Sequence, residues 1–267
     1  MSRFLLLGSP TELGLRFVQA AKSKLQIKCL YISEKPENYF NRHHHIVNSL
    51  GGIPVPLHFD WEADTRAGHR VLKPLLKPIL DNVDGVVFIR QNPSKRSPRF
   101  LYWNDVDNLV LSMLSESTTS PRILAWSKIP GIYRLPQQQE REILPSARTK
   151  EFLERVQKAQ GVDWTIVRSA RWFDDVGQKH FDATKPRPPK GGIAVGAENR
   201  SAIWKDDLAS LMVEILQTGG LTGRTLDVQS VKPTKDNSDL KKVLAEAAAS
   251  PKKKLEAPEM ARVDMSK

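Results

Sequence analysis

The stretch Arg3-Phe4-Leu5-Leu6-Leu7-Gly8-Ser9-Pro10-Thr11-Glu12-Leu13-Gly14 passes from an apolar run through a glycine-bounded turn into residues with helical spacing. Leu13, Phe17, Val18, Ala20 and Ala21 recur at the interval of one helix face. That is strand, turn, helix. A strand feeding a helix through a short turn is the opening unit of an α/β chain, because a crossover must return over the sheet before the next parallel strand can start.

The unit recurs along the chain. Ile27 to Ile32 reads as a second strand, Asn38 to Leu50 as a helix closed by Gly51-Gly52, and Val55 to Phe59 as a third strand. A helix from Ala63 to Leu80 is expected to be interrupted or kinked at Pro74 and Pro78, since neither has the amide proton a helix interior uses. Gly85 to Ile89, Arg122 to Ser127 and Trp164 to Arg168 supply three more strands, with helices Trp103 to Ser117 and Ala147 to Gln160 between them. Short strands rich in Ile, Leu and Val, alternating with helices, predict an α/β fold: a doubly wound, Rossmann-type parallel sheet with helices on both faces.

After Arg168 the rhythm changes. Gln178 to Gly196 has the Pro, Gly and Lys content of a loop, followed by an amphipathic helix from Trp204 to Gln217, a strand from Thr225 to Val228, and a helix from Asp239 to Ala249 capped by Ser238. The expected organisation is a core over 1–168, a small substrate-side segment over 169–249 packed on it, and a disordered basic tail over 250–267.

Composition narrows the class. The chain has 267 residues, enough for one large domain or two small ones, and its 40% hydrophobic content fits a globular protein. No apolar run reaches the ~20 residues of a bilayer span. Cys29 is the one cysteine and can form no internal disulfide; with no secretory or transit pattern at the start, a cytoplasmic location is expected. The formal charge of +11 is local: +4 falls in the loop Arg90 to Arg99 and +3 in Lys232 to Lys267. The basic loop is open to two readings, attraction of anionic ligands or a solvated loop, and its aromatic residues are not interleaved as on a single-strand nucleic-acid platform. No nucleic-acid or membrane partner is expected.

The first turn carries the strongest site signal, since a strand-to-helix turn offers unsatisfied amides to a pyrophosphate. The wider-spaced glycine fingerprint asks for glycine at 8, 11 and 14. Gly8 and Gly14 are present, Thr11 stands in place of the middle one, and Ser9 and Thr11 offer hydroxyl donors. Glu12 suits the helix dipole but repels an anion. At the end of the second strand, Glu34 suits the ribose hydroxyls of NAD, whereas Ser33 and Lys35 suit the 2′-phosphate of NADP; the basic surroundings favour NADP. His43-His44-His45 is read as a surface run rather than a metal site, because consecutive helical residues point about 100° apart. Asp207 is read as a cap or tether of the helix that follows it.

The chain resembles the NmrA-like branch of the atypical short-chain dehydrogenase/reductases from about Arg3 to Val228. The stretches that carry the likeness are the Gly8 to Gly14 loop, Phe59-Asp60-Trp61, Ala147 to Leu153 leading into Gly161 to Arg168, Trp172-Phe173, and Asp206-Asp207-Leu208-Ala209. The resemblance implies an NAD(P)-dependent oxidoreductase that passes hydride to a small organic acceptor, imine, iminium or carbonyl-like, with a role in secondary metabolism. It places Gly8, Ser9, Thr11, Glu12, Leu13 and Gly14 at the pyrophosphate, Asp60 and Trp61 by the adenine, and Phe88 and Arg90 by the ribose or pyrophosphate. It places Lys150 on the nicotinamide ribose and Trp172 and Phe173 against the substrate. Four residues before Lys150, where catalytic relatives carry a proton-donating tyrosine, stands Ser146, a far weaker acid. The alternative is a non-catalytic NAD(P)-binding redox sensor that meets a protein partner.

Overall fold

Apolar runs of β-branched and leucine residues become strands here because helices cover both faces of the inner strands, such as Arg3–Leu7 and Gly85–Ile89. In the computed structural model, residues 1–8, 11–33, 44–58, 68–89, 99–117, 119–128, 131–134, 140–143, 147–169, 192–195, 203–231, 238–250 and 262–263 are described. The main sheet is built from β1 (Arg3–Leu7), β2 (Gln26–Ser33), β3 (Ile53–His58), β4 (Gly85–Ile89), β5 (Arg122–Lys128), β8 (Asp163–Ser169), β9 (Gly192–Val195) and β10 (Arg224–Val231). Their order is β3-β2-β1-β4-β5-β8-β10-β9, and every pairing is parallel except that of the edge strand β9 with β10. This is the expected doubly wound sheet, with the strand order reversing between β1 and β4.

The helices divide between the faces. On one lie α1 (Glu12–Ala21), α5 (Lys205–Thr218), α6 (Leu240–Ala249) and the helical residues 44–49, packed around Phe4, Leu6, Phe17, Trp126 and Met212. On the other lie α2 (Gly68–Leu80), α3 (Arg99–Ser115) and α4 (Ala147–Lys158), packed around Leu5, Leu76, Val86, Phe88 and Phe152. Alternate residues of β1 thus serve opposite layers, as the twofold repeat of a strand dictates. β9 and β10, from the segment after residue 168, extend the same sheet.

Several expectations are corrected. α2 is continuous through Pro74 and Pro78, which are both exposed, while Leu72, Leu76 and Leu80 are buried on the opposite side. The carbonyls robbed of a donor therefore face water. The cap of α6 is Asp239, whose carboxylate accepts from the Lys241 and Lys242 amides, and not Ser238. Gly192–Val195, inside the stretch read as a loop, is the antiparallel edge strand. Between β5 and α4, where no element was expected, a hairpin of β6 (Gly131–Arg134) and β7 (Glu140–Ile143) forms, and β11 (Arg262–Val263), within the expected tail, pairs parallel with β6.

Two arginines tie helix ends to strands. Arg224 of β10 donates to the carbonyls of Ala247, Ala248 and Ser250 at the end of α6, and Arg122 of β5 donates to Leu216 at the end of α5. Both place a cation at the negative end of a helix dipole.

Candidate functional site

β1 and β4 are neighbours, but the chain leaves them toward opposite sides of the sheet, so a crevice opens above their carboxyl ends. Gly8 stands there with φ +100°, and a Cβ on it would fall 2.0 Å from the Ile89 carbonyl oxygen. Both the backbone conformation and the close approach demand glycine. The Thr11 amide then donates to the Gly8 carbonyl at 3.2 Å and closes the turn.

Thr11 is the N-cap of α1, with extended φ −78° and ψ 152°, so its backbone needs no glycine. Its hydroxyl donates to the Gly8 carbonyl at 2.7 Å and accepts from the Gly14 amide at 3.0 Å. The Leu15 amide is bonded to the Thr11 carbonyl. Of the first-turn donors, the amides of Glu12 and Leu13 have no partner among the described residues, and they lie at the positive end of the helix. The Thr11 hydroxyl, expected to offer its proton to a phosphate, spends it on the turn.

The charge of Glu12 is compensated. Its carboxylate accepts from Arg16 Nη2 at 2.7 Å and Arg16 Nε at 3.2 Å, one turn along α1, and from Lys205 Nζ of α5 at 2.6 Å. Arg16 also pairs with Asp206 of α5. The side chains of Arg16 and Lys205 are 1% and 4% exposed, so neither cation is dispersed into solvent. Burial pushes the Glu12 carboxyl up, but the hydrogen bonds and charges of Lys205 and Arg16 outweigh it and hold the group below its ordinary 4.5. Asp207, read as a cap or tether of the helix after it, instead lies inside α5, whose N-cap is Trp204; it is buried beside this cluster and accepts from the Ser230 hydroxyl of β10 at 3.5 Å, a tether and not a cap.

Other sequence-predicted residues are placed as follows. Lys150 is exposed in the first turns of α4, which begins at the carboxyl end of the sheet because the helix returns between the parallel strands β5 and β8. The Phe88 ring is 1% exposed and packs edge-on against Phe152, with centroids 5.0 Å apart, so its side chain belongs to the core. Ser33 is the last residue of β2. Ser9, Lys35, Asp60, Trp61, Arg90, Ser146, Trp172 and Phe173 lie outside the described residues. His44 and His45 are exposed, and the described residues hold no group of three or more metal-ligating side chains. No helix among them is long and apolar enough to cross a membrane.

Sequence reasoning missed Arg16 and Lys205, and met Asp206 only as part of the Asp206 to Ala209 stretch that carries the resemblance. Glu12 and Arg16 stand four apart on a predicted helix, the spacing of a helical ion pair, and that signal was available. Lys205 is 193 residues from Glu12, and no local pattern joins them.

A large cavity of about 830 Å³ lies at the opposite, amino end of the sheet, lined by Arg3, Lys73, Lys77, Asp84, Glu116 and Arg122 among others. Among its charged side chains Lys73 pairs with Glu116 and Lys77 with Asp81, and the Arg3 backbone amide donates to Asp84 at 2.7 Å.

No family model and no curated protein matches the sequence. Solved structures do resemble the fold. A Bacillus halodurans protein assigned to the NAD-dependent epimerase/dehydratases superposes with a TM-score of 0.58 at 14% identity, covering 92% of this chain and 100% of that one. The oxidoreductase ylbE of Lactococcus lactis gives 0.55 at 13% identity, over 91% of this chain and 95% of that one. AtPrR2, in complex with NADP+ and (+)pinoresinol, gives 0.54 at 17% identity, over 99% of this chain and 79% of that one. At such identities the likeness speaks for architecture alone, and it establishes that the chain has the Rossmann fold these proteins share.

Proposed function

We propose that this protein is an NAD(P)-dependent oxidoreductase of the NmrA-like type that transfers hydride to a small imine, iminium or carbonyl-like acceptor. The observation that carries the reading is the turn at the β1/β4 switch point. There Gly8 clears the Ile89 carbonyl, and the Glu12 and Leu13 amides at the start of α1 have no partner among the described residues. Such a turn suits a dinucleotide pyrophosphate: its donors point from a helix start, and the adjacent acid is already neutralised. The AtPrR2 complex with NADP+, on the same fold, supports a dinucleotide as the ligand.

In this reading Gly8, Ser9, Thr11, Glu12, Leu13 and Gly14 form the pyrophosphate turn, Thr11 and Gly14 by shaping it. Ser33 and Lys35 meet the 2′-phosphate of NADP, Asp60 and Trp61 the adenine, and Arg90 with the Phe88 backbone the adenosine half. Lys150 reaches the nicotinamide ribose, and Trp172 and Phe173 wall the substrate. The bound reduced cofactor supplies the hydride, which an iminium carbon accepts as the C=N π pair moves onto nitrogen. That acceptor needs no proton in the step, which agrees with Ser146 where relatives carry tyrosine.

The test is titration with NADPH, NADH and their oxidised forms, followed by turnover against imine, quinone and enone acceptors. Binding of NADPH with its oxidation by an imine is expected. No binding at millimolar concentration sinks the reading, and binding without consumption favours the sensor. Lys150→Ala is expected to lower kcat/KM by about 100-fold, the scale of a lost positioning contact; normal turnover would remove Lys150 from the site.

A further inference from the structure

α1 and α5 both start at the carboxyl end of the sheet and pack side by side, so their positive helix ends are neighbours. Each contributes one acid and one base to the joint. Glu12 and Arg16 come from α1, and Lys205 and Asp206 come from α5. The exchange is reciprocal, since the acid of each helix is bonded to the base of the other. These four side chains together carry no net charge, and the two cations are almost fully buried.

We infer that Lys205 is a positioning residue for the phosphate turn: together with Arg16 it cancels the charge of Glu12 and so lets the start of α1 accept an anionic pyrophosphate. The inference rests on the dinucleotide reading above and accounts for an acid at a place that would otherwise repel the ligand. Arg16 alone is an incomplete answer, because Asp206 claims part of its guanidinium. Lys205 supplies the shortest bond to Glu12, 2.6 Å, from an element on the far side of the sequence. Acceptance of the pyrophosphate therefore depends on α5 being seated.

The experiment compares Kd values for NADP+, ADP and adenosine by calorimetry in the full-length wild type, Lys205→Met, Glu12→Gln and the double variant. For Lys205→Met, Kd for NADP+ and ADP is expected to rise by about tenfold, the scale of one uncompensated nearby charge at an effective dielectric of ~20. Adenosine, which carries no phosphate, is expected to bind unchanged. The double variant restores the wild-type values within about threefold, because the repelling charge leaves with its partner. If Lys205→Met does not fold, Glu12→Gln decides alone: it leaves the cations in excess and tightens ADP binding, and an unchanged or weaker ADP affinity overturns the proposal. Equal weakening of ADP and adenosine, or no rescue in the double variant, identifies a merely structural joint and overturns it too. A wild type that binds NADP+ beside an unaffected Lys205→Met removes this proposal only; a wild type that binds no nucleotide removes the dinucleotide reading with it.

Discussion

Thr11 shows how far a residue's identity and its use can diverge. In sequence it is a glycine lost from a phosphate fingerprint; in the structure its hydroxyl holds the turn together at both ends, bonded to the Gly8 carbonyl and the Gly14 amide. Thr11→Ala removes that cap and is expected to cost about 1 kcal/mol of stability, read as a lower denaturation midpoint. Thr11→Gly costs only a few tenths of a kcal/mol, since glycine also serves at an N-cap, and it frees the Gly14 amide. One added amide-to-phosphate bond is worth ~1.5 kcal/mol, so ADP affinity should rise by about tenfold. If calorimetry finds no tighter binding in a Thr11→Gly protein with its helix intact, the turn is not where the phosphates sit. Gly8 and Glu12 were legible as residue types at this scale, whereas the compensation of Glu12 was not, because it depends on a lysine brought in by the fold.

At the scale of elements, α2 bears on how proline reads in a helix. Pro74 and Pro78 stand four apart and so share one side, and that side faces solvent, while Leu72, Leu76 and Leu80 seat the helix on α3 and the sheet. Burial of the leucines outweighs two missing bonds whose orphaned carbonyls are hydrated. Replacing Pro74 by alanine restores a donor and is expected to stabilise the protein by about 1–2 kcal/mol, less what the freed unfolded chain gains in entropy. A denaturant midpoint lower than wild type would show that the ring packs usefully. The six parallel strands expected from sequence are all present because each is a mainly apolar run bounded by turn signals. The β6–β7 hairpin and β9 escaped because each strand has only four residues, and pairing rather than composition defines it. Asp239 in place of Ser238 as the cap of α6 is the ordinary ambiguity between two adjacent capping residues.

At the scale of the molecule, cavity size and electrostatics favour different ends of the sheet for the proposed dinucleotide. The amino end holds the 830 Å³ cavity, but the helices that reach it, α2 and α3, arrive by their C-terminal turns. Their dipoles present negative ends there, and Lys73 and Lys77 beside the cavity are already paired with Glu116 and Asp81. The carboxyl end receives the starts of α1, α4 and α5, and with them the Glu12 and Leu13 amides, which have no partner among the described residues. A polyanion is therefore drawn to the end where no large cavity is seen among the described residues. Hydrogen exchange with and without saturating NADP+ separates the two ends. Added protection is expected at the amides of Glu12 and Leu13 and at the start of α4, with none at Lys73, Lys77, Asp81 or Glu116. Protection confined to the amino-end residues would move the ligand to the other side of the sheet, and the roles given to Gly8, Glu12 and Lys150 would fall together.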